Sequence, residues 1–148
     1  MRQADVGGRP HARSRETRAH PDVRIVFRHF PLRHLHAHAE LLSRIAEAAH
    51  EQDRFWELHD ELMASGRRFD LDDVRRQASD AGLELGAFDD ALRDEAIAQR
   101  VQRDVASGQA AGVHSTPSFF FDGMLHDGRY DERTLEARLA EARARAGG

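Results

Sequence analysis

The apolar positions of this chain fall into three rhythms. Val23-Arg24-Ile25-Val26-Phe27-Arg28 is rich in β-branched and aromatic residues and reads as a strand that ends at Phe30-Pro31. From His36 to Gln52 the rhythm becomes helical, with Leu41, Leu42, Ile45, Ala48 and Ala49 forming one stripe. Asp53 is placed to cap a second helix that turns Phe55, Trp56, Leu58, Leu62 and Met63 inward and stops at Gly66. Asp70 caps a third, running through Leu71, Val74, Ala78 and Ala81 to Gly82. Phe88, Leu92, Ile97, Val101 and Val105 predict two further helical pieces that end near Gly112. The period then changes again. Ser118 to Phe121 reads as a strand, Asp122-Gly123 as a turn, and Met124-Leu125-His126 as the returning arm of a hairpin. Asp131 caps a last amphipathic helix through Leu135 and Leu139.

The order is strand, several helices, hairpin, helix. It predicts an α/β sandwich whose sheet is interrupted by a helical insert over about residues 36–111. The expected domain spans 23–146. Residues 1–22, with Gly7-Gly8-Arg9-Pro10 and a run of Arg, Ser, Glu and Thr, keep neither period and are expected to be disordered or a degenerate remnant of a first helix.

Composition narrows the chemistry. A length of 148 residues suits one domain. The formal net charge of -4 argues against a general nucleic-acid binder. No apolar run approaches the length of a bilayer crossing, and the first residues lack the apolar middle of a secretory signal, so the expectation is a cytoplasmic protein. All the Lys+Arg residues are arginine. The chain has no cysteine, so disulfides, thiolate catalysis and cysteine-bound metal have no residue to use.

His34, His36 and His38 alternate, but the alanines among them favour helix, where residues two apart diverge, and helix-capping or solvated roles explain them. His50-Glu51 opens like a zinc-protease motif, yet position 54 is Arg where the second His belongs. His59 beside Asp60 is a conceivable catalytic pair without an assignable nucleophile, and the neighbouring Phe55-Trp56 reads as core. Asp72-Asp73 and Asp89-Asp90 are expected at helix N-termini, where the dipole favours acids, with Arg143 and Arg145 at the opposite end of the last helix. Neither a metal nor a cofactor is expected.

Four strings, in order, resemble the DsbA-like branch of the thioredoxin superfamily. They are Val26-Phe27-Arg28-His29-Phe30-Pro31-Leu32, His36-Ala37-His38-Ala39, Gln52-Asp53-Arg54-Phe55-Trp56-Glu57-Leu58-His59-Asp60, and Gly112-Val113-His114-Ser115-Thr116-Pro117-Ser118-Phe119-Phe120-Phe121-Asp122-Gly123. The resemblance covers roughly residues 22–143, and a similar domain ends some sodium/proton antiporters. It implies a thioredoxin-like fold with an inserted helical subdomain. It also implies that Thr116-Pro117 forms a cis-proline loop and that Ser115, Thr116 and Pro117 contact bound substrate.

The family exchanges disulfides through a Cys-x-x-Cys that this chain lacks, and the first strand that would carry it is expected to be missing. The resulting expectation is a redox-inactive relative. The alternatives are a module that binds extended peptide or protein at the cis-proline edge, or a fragment of an active oxidoreductase with a misassigned start. A relative of the kappa-class glutathione transferases is weakened because Ser14 lies too far along the chain. A strand-supplying partner or self-association is expected for the two unpaired strands.

Overall fold

A computed structural model describes residues 23–32, 38–64 and 70–146. The expectations for residues 1–22, His34, His36 and Gly66 lie outside them. Among the described residues six helices and one hairpin follow in order: α1 (Ala39–His50), α2 (Phe55–Ala64), α3 (Leu71–Asp80), α4 (Leu85–Arg93), α5 (Glu95–Ala110), β1 (Phe120–Phe121), β2 (Met124–Leu125) and α6 (Glu132–Ala146). The chain divides into two compact units between Val105 and Ala106.

The first unit is built on α1. Ile45, Ala48 and Ala49 are fully buried and meet Leu58 of α2, Val74 and Ala78 of α3, Phe88 of α4 and Ile97 of α5 in one cluster. Each large side chain so enclosed contributes about 1.5–3 kcal/mol. Small alanines on α1 let the neighbouring helices approach closely.

Helix ends follow local chemistry. Asp70 accepts the Asp72 amide at 2.9 Å and starts α3 as expected. Glu84 does the same for α4 through the amides of Gly86 and Ala87, and those two bonds hold its carboxyl below the ordinary range. Asp94 opens α5 by accepting from Ala96. Gly82 and Gly112, both with positive φ, close α3 and α5 with the paired backbone bonds of a Schellman motif.

Four expectations need correction, the first being an inward Met63 on α2, since that side chain lies exposed. Asp53 does not cap α2. It sits in the left-handed region at φ 57 and ends α1, with Asp53 N–H bonded to His50 and Arg54 N–H to Ala49. Asp89 and Asp90 are not at a helix start, because α4 begins at Leu85; Asp89 instead pairs with Arg75 of α3 and raises the pKa of that guanidinium. Val23–Arg28 is not a strand. β character alone does not make one, since a strand exists only where a neighbour completes its ladder, and among the described residues none does.

What holds residues 23–32 is a buried polar network. His29 is 5% exposed and Glu47, on α1, is fully buried. His29 Nε2 lies 2.9 Å from Glu47 Oε1, and Arg100 of α5 donates to Glu47 Oε2 at 2.8 Å. Burial works against the charge on Arg100, but its hydrogen bonds and attraction to Glu47 and Glu51 prevail and keep its pKa above the usual value. Asp104, also on α5, accepts the His29 amide at 2.9 Å and an Arg28 N–H at 3.1 Å. Phe27 completes the attachment by packing on Phe55, Trp56 and His59.

A charge enclosed with its partners is costly to strand. Glu47→Ala is expected to destabilise the protein by about 3–5 kcal/mol in urea denaturation. Glu47→Gln, which keeps the shape and an acceptor oxygen, should cost clearly less. Equal losses from the two substitutions would rule out the ionic role.

Candidate functional site

The second unit carries the segment that sequence reading singled out. α5 ends at Gly112, whose φ of +80 turns the chain, and Val113 follows buried. His114, Ser115, Thr116 and Pro117 then lie exposed in an irregular loop. The Thr116–Pro117 peptide bond is cis. Ser118 reaches back and donates its hydroxyl to the Ser115 carbonyl at 2.7 Å, which closes the loop on itself. No hydrogen bond engages the N–H or C=O of Thr116 among the described residues.

The hairpin behind this loop is short. Phe120 pairs with Leu125 and Phe121 with Met124, antiparallel, and the His126 amide donates to the Phe119 carbonyl at 2.8 Å to add one rung. Asp122 and Gly123 both have positive φ, the requirement of a two-residue turn whose twist matches that of the strands. The strand expected from Ser118 thus begins two residues later, where pairing starts.

His126 fixes the far side of the hairpin. It is 4% exposed, its Nε2 lies 3.0 Å from the Arg129 carbonyl, and its ring meets Phe121 and Tyr130. Gly128 is tied to that packing, because a Cβ there would stand 2.7 Å from His126 Cε1. Asp131 then caps α6, accepting the Thr134 amide at 3.0 Å and the Thr134 hydroxyl at 2.8 Å. Those bonds, the hydroxyl's foremost, hold the Asp131 carboxyl below its ordinary value.

Ser115, Thr116 and Pro117 therefore lie together on one exposed loop that leads into the hairpin. The other candidates are not part of it. His38 occupies the N-cap position of α1 without capping it through its side chain. His50 is buried at the end of α1. His59 stacks on Phe55 and lies 3.2 Å from Asp60, a member of the aromatic cluster around Phe27. Among the described residues no three metal-ligating side chains gather. Asp72 and Asp73 do stand in the first turn of α3, and Arg143 and Arg145 in the last turn of α6.

Sequence reading missed Glu47, His29, Arg100 and Asp104. A signal was present: Ser43, Glu47 and His50 are spaced as one helical stripe, and all three are buried.

Residues 10–140 match the DSBA-like thioredoxin domain family. The chain is 39% identical over 124 residues to the Na(+)/H(+) antiporter NhaA 3 of Salinispora tropica, covering 84% of this chain and 19% of that protein. It is 37% identical over 130 residues to the Na(+)/H(+) antiporter NhaA of Herminiimonas arsenicoxydans, covering 86% of this chain and 20% of that one. It thus spans about a fifth of the length of these curated relatives. A thioredoxin-like oxidoreductase from Silicibacter pomeroyi superposes with a TM-score of 0.72 at 26% identity, over 86% of this chain and 72% of that one.

Two outcomes test the scaffold. Gly128→Ala should lower stability by about 1–3 kcal/mol through collision with the His126 ring, read by thermal melting. For Asp131, a carboxylate with a lowered folded pKa stabilises fully above its ordinary 3.8 and loses that contribution as pH falls through the lowered value. Asp131→Asn should therefore weaken α6 at neutral pH and converge with the parent in strong acid, as followed by amide exchange of Thr134.

Proposed function

The chain belongs to the DSBA-like thioredoxin domain family, and on that premise we propose that it holds extended polypeptide at the Ser115-Thr116-Pro117 loop without exchanging disulfides. The observation that carries this reading is the Thr116 backbone. Thr116 is exposed, and its N–H and C=O take no hydrogen bond among the described residues, on a loop that Ser118 closes through the Ser115 carbonyl. An extended chain laid alongside satisfies such groups with its own main chain, an affinity that does not depend on side-chain sequence. Phe119 and Phe120, both partly exposed beside the loop, add apolar surface for side chains of the guest.

Thiol chemistry is absent from this reading because disulfide exchange starts with a thiolate, and the chain has no cysteine to supply one. The ion exchange in the names of the antiporter relatives is not carried over either. No described helix is long and apolar enough to cross a membrane.

Two measurements check the proposal. Insulin reduction with dithiol should show no turnover above buffer. A labelled, unstructured apolar peptide should bind with an affinity that Thr116→Arg weakens by about tenfold or more, equivalent to roughly 1.4 kcal/mol, while the melting temperature holds. Unchanged binding by the variant would remove the loop from the function.

A further inference from the structure

The segment before α1 belongs to no helix or strand, and Val23, Arg24, Ile25 and Val26 make no hydrogen bond among the described residues. Its hold on the first unit therefore comes from contacts of Phe27, Arg28 and His29 with α1, α2 and α5. These contacts are of two kinds, and acid affects only one of them.

The polar kind runs through two carboxylates. Glu47 Oε1 lies 2.9 Å from His29 Nε2, Asp104 Oδ2 accepts the His29 amide at 2.9 Å, and Asp104 Oδ1 accepts from Arg28 at 3.1 Å. A carboxylate only accepts, so His29 Nε2 carries the hydrogen of its bond, in the neutral ring as in the imidazolium. The side chains of Glu47 and Asp104 are 1% and 10% exposed. Among the described residues the other titratable groups facing this cluster are Arg100, which bridges Glu47 and Glu51, and the imidazoles of His50 and His59, which meet the Phe55 ring. The apolar kind is the Phe27 ring, with centroid separations of 5.2 Å to Phe55 and 6.1 Å to Trp56.

We propose that residues 23–29 are an acid-released latch: protonation of Glu47 and Asp104 frees them from α1 and α5 and uncovers the aromatic cluster of α2, while the helices stay packed. At neutral pH the carboxylates balance Arg28 and Arg100. In acid both carboxylates take protons and His29 becomes a cation, whereas the guanidinium groups keep their charge. His29, Arg28 and Arg100 then crowd together with no anion between them, and a charge stripped of its partner in a site closed to water is strongly destabilising. Two of those three cations ride on the segment, so its departure relieves the site. The cluster of Ile45, Ala48, Ala49, Leu58 and Phe88 holds no titratable side chain and is indifferent to the same protons. Opening is therefore local, below the free energy of global unfolding. Phe27 leaves with His29 and bares Phe55 and Trp56. The latch lies wholly in the first unit and does not rest on the reading of the Ser115-Thr116-Pro117 loop.

Amide hydrogen exchange of the full chain, followed residue by residue by NMR from neutral pH into acid and corrected for the intrinsic rate, tests this. The His29 amide should lose protection at a higher pH than the amides of Ala48 and Ala49, with a gap on the order of tenfold while helical circular dichroism is unchanged. A dye that binds apolar surface should begin to bind over the same range. His29→Gln keeps a donor toward Glu47 and cannot become a cation, so its segment should stay protected to lower pH. Glu47→Gln combined with Asp104→Asn imitates the protonated acids, and its His29 amide should already be on the order of tenfold less protected than the parent's at neutral pH. Loss of protection at His29, Ala48 and Ala49 together, an unshifted pH response in His29→Gln, or full protection of His29 in the double variant at neutral pH would each overturn the proposal. The parent and His29→Gln decide it even where the double variant fails to fold.

Discussion

Everything in the first unit turns on a carboxylate with nowhere to go. Glu47 sits in the middle of the packed face of α1, with no exposure to water. A charge in that position is made tolerable by partners such as His29 and Arg100, which engage its two oxygens. The apolar contacts of Ile45, Ala48 and Ala49 would form around many side chains. The ionic contacts form around one arrangement of three elements: the segment before α1, α1 itself and α5. Asp104 repeats the device one turn along α5 and takes a backbone amide as well as a side chain. Hydrophobic burial thus supplies the bulk of the cohesion, while polar pairs fix where the non-helical segment lies.

The helices were legible because their signals are local. A 3.6-residue stripe and an acid at the right offset are enough to mark α3 and α6, where Asp70 and Asp131 do cap. Asp53 was misread because Asp serves both as an N-cap and as a residue that tolerates positive φ, and only the neighbouring backbone bonds decide which. The segment from Val23 to Arg28 was misread for a different reason. Its composition suits a ladder, but ladders are relations between segments, and one segment cannot declare whether its neighbour is there. Glu47 escaped notice because a glutamate on an amphipathic helix usually faces water. Its burial depends on Arg100, more than fifty positions away. The loop at residues 115–117 was recognisable through resemblance rather than through any property of Ser, Thr and Pro taken singly.

The two units divide the physical work. In one, side-chain burial and ion pairs dominate. In the other, most of the organisation is backbone turning: Gly112, Asp122 and Gly123 all take positive φ within a short stretch, and Gly128 leaves room for a ring. The turns of that unit leave the N–H and C=O of Thr116 without a hydrogen bond among the described residues.

Gln52 ties two distant points of the first unit together. Its side-chain amide forms a two-bond rung with the backbone of Glu84, accepting from the amide at 2.8 Å and donating to the carbonyl at 3.0 Å. A single residue after α1 is thereby stitched to the residue before α4, and the stretch between them becomes a closed excursion with both feet fixed. Lengthening such an excursion costs little entropy, about 0.6 kcal/mol for each doubling. Release of that rung, by contrast, frees both ends of the stretch that carries α2 and α3.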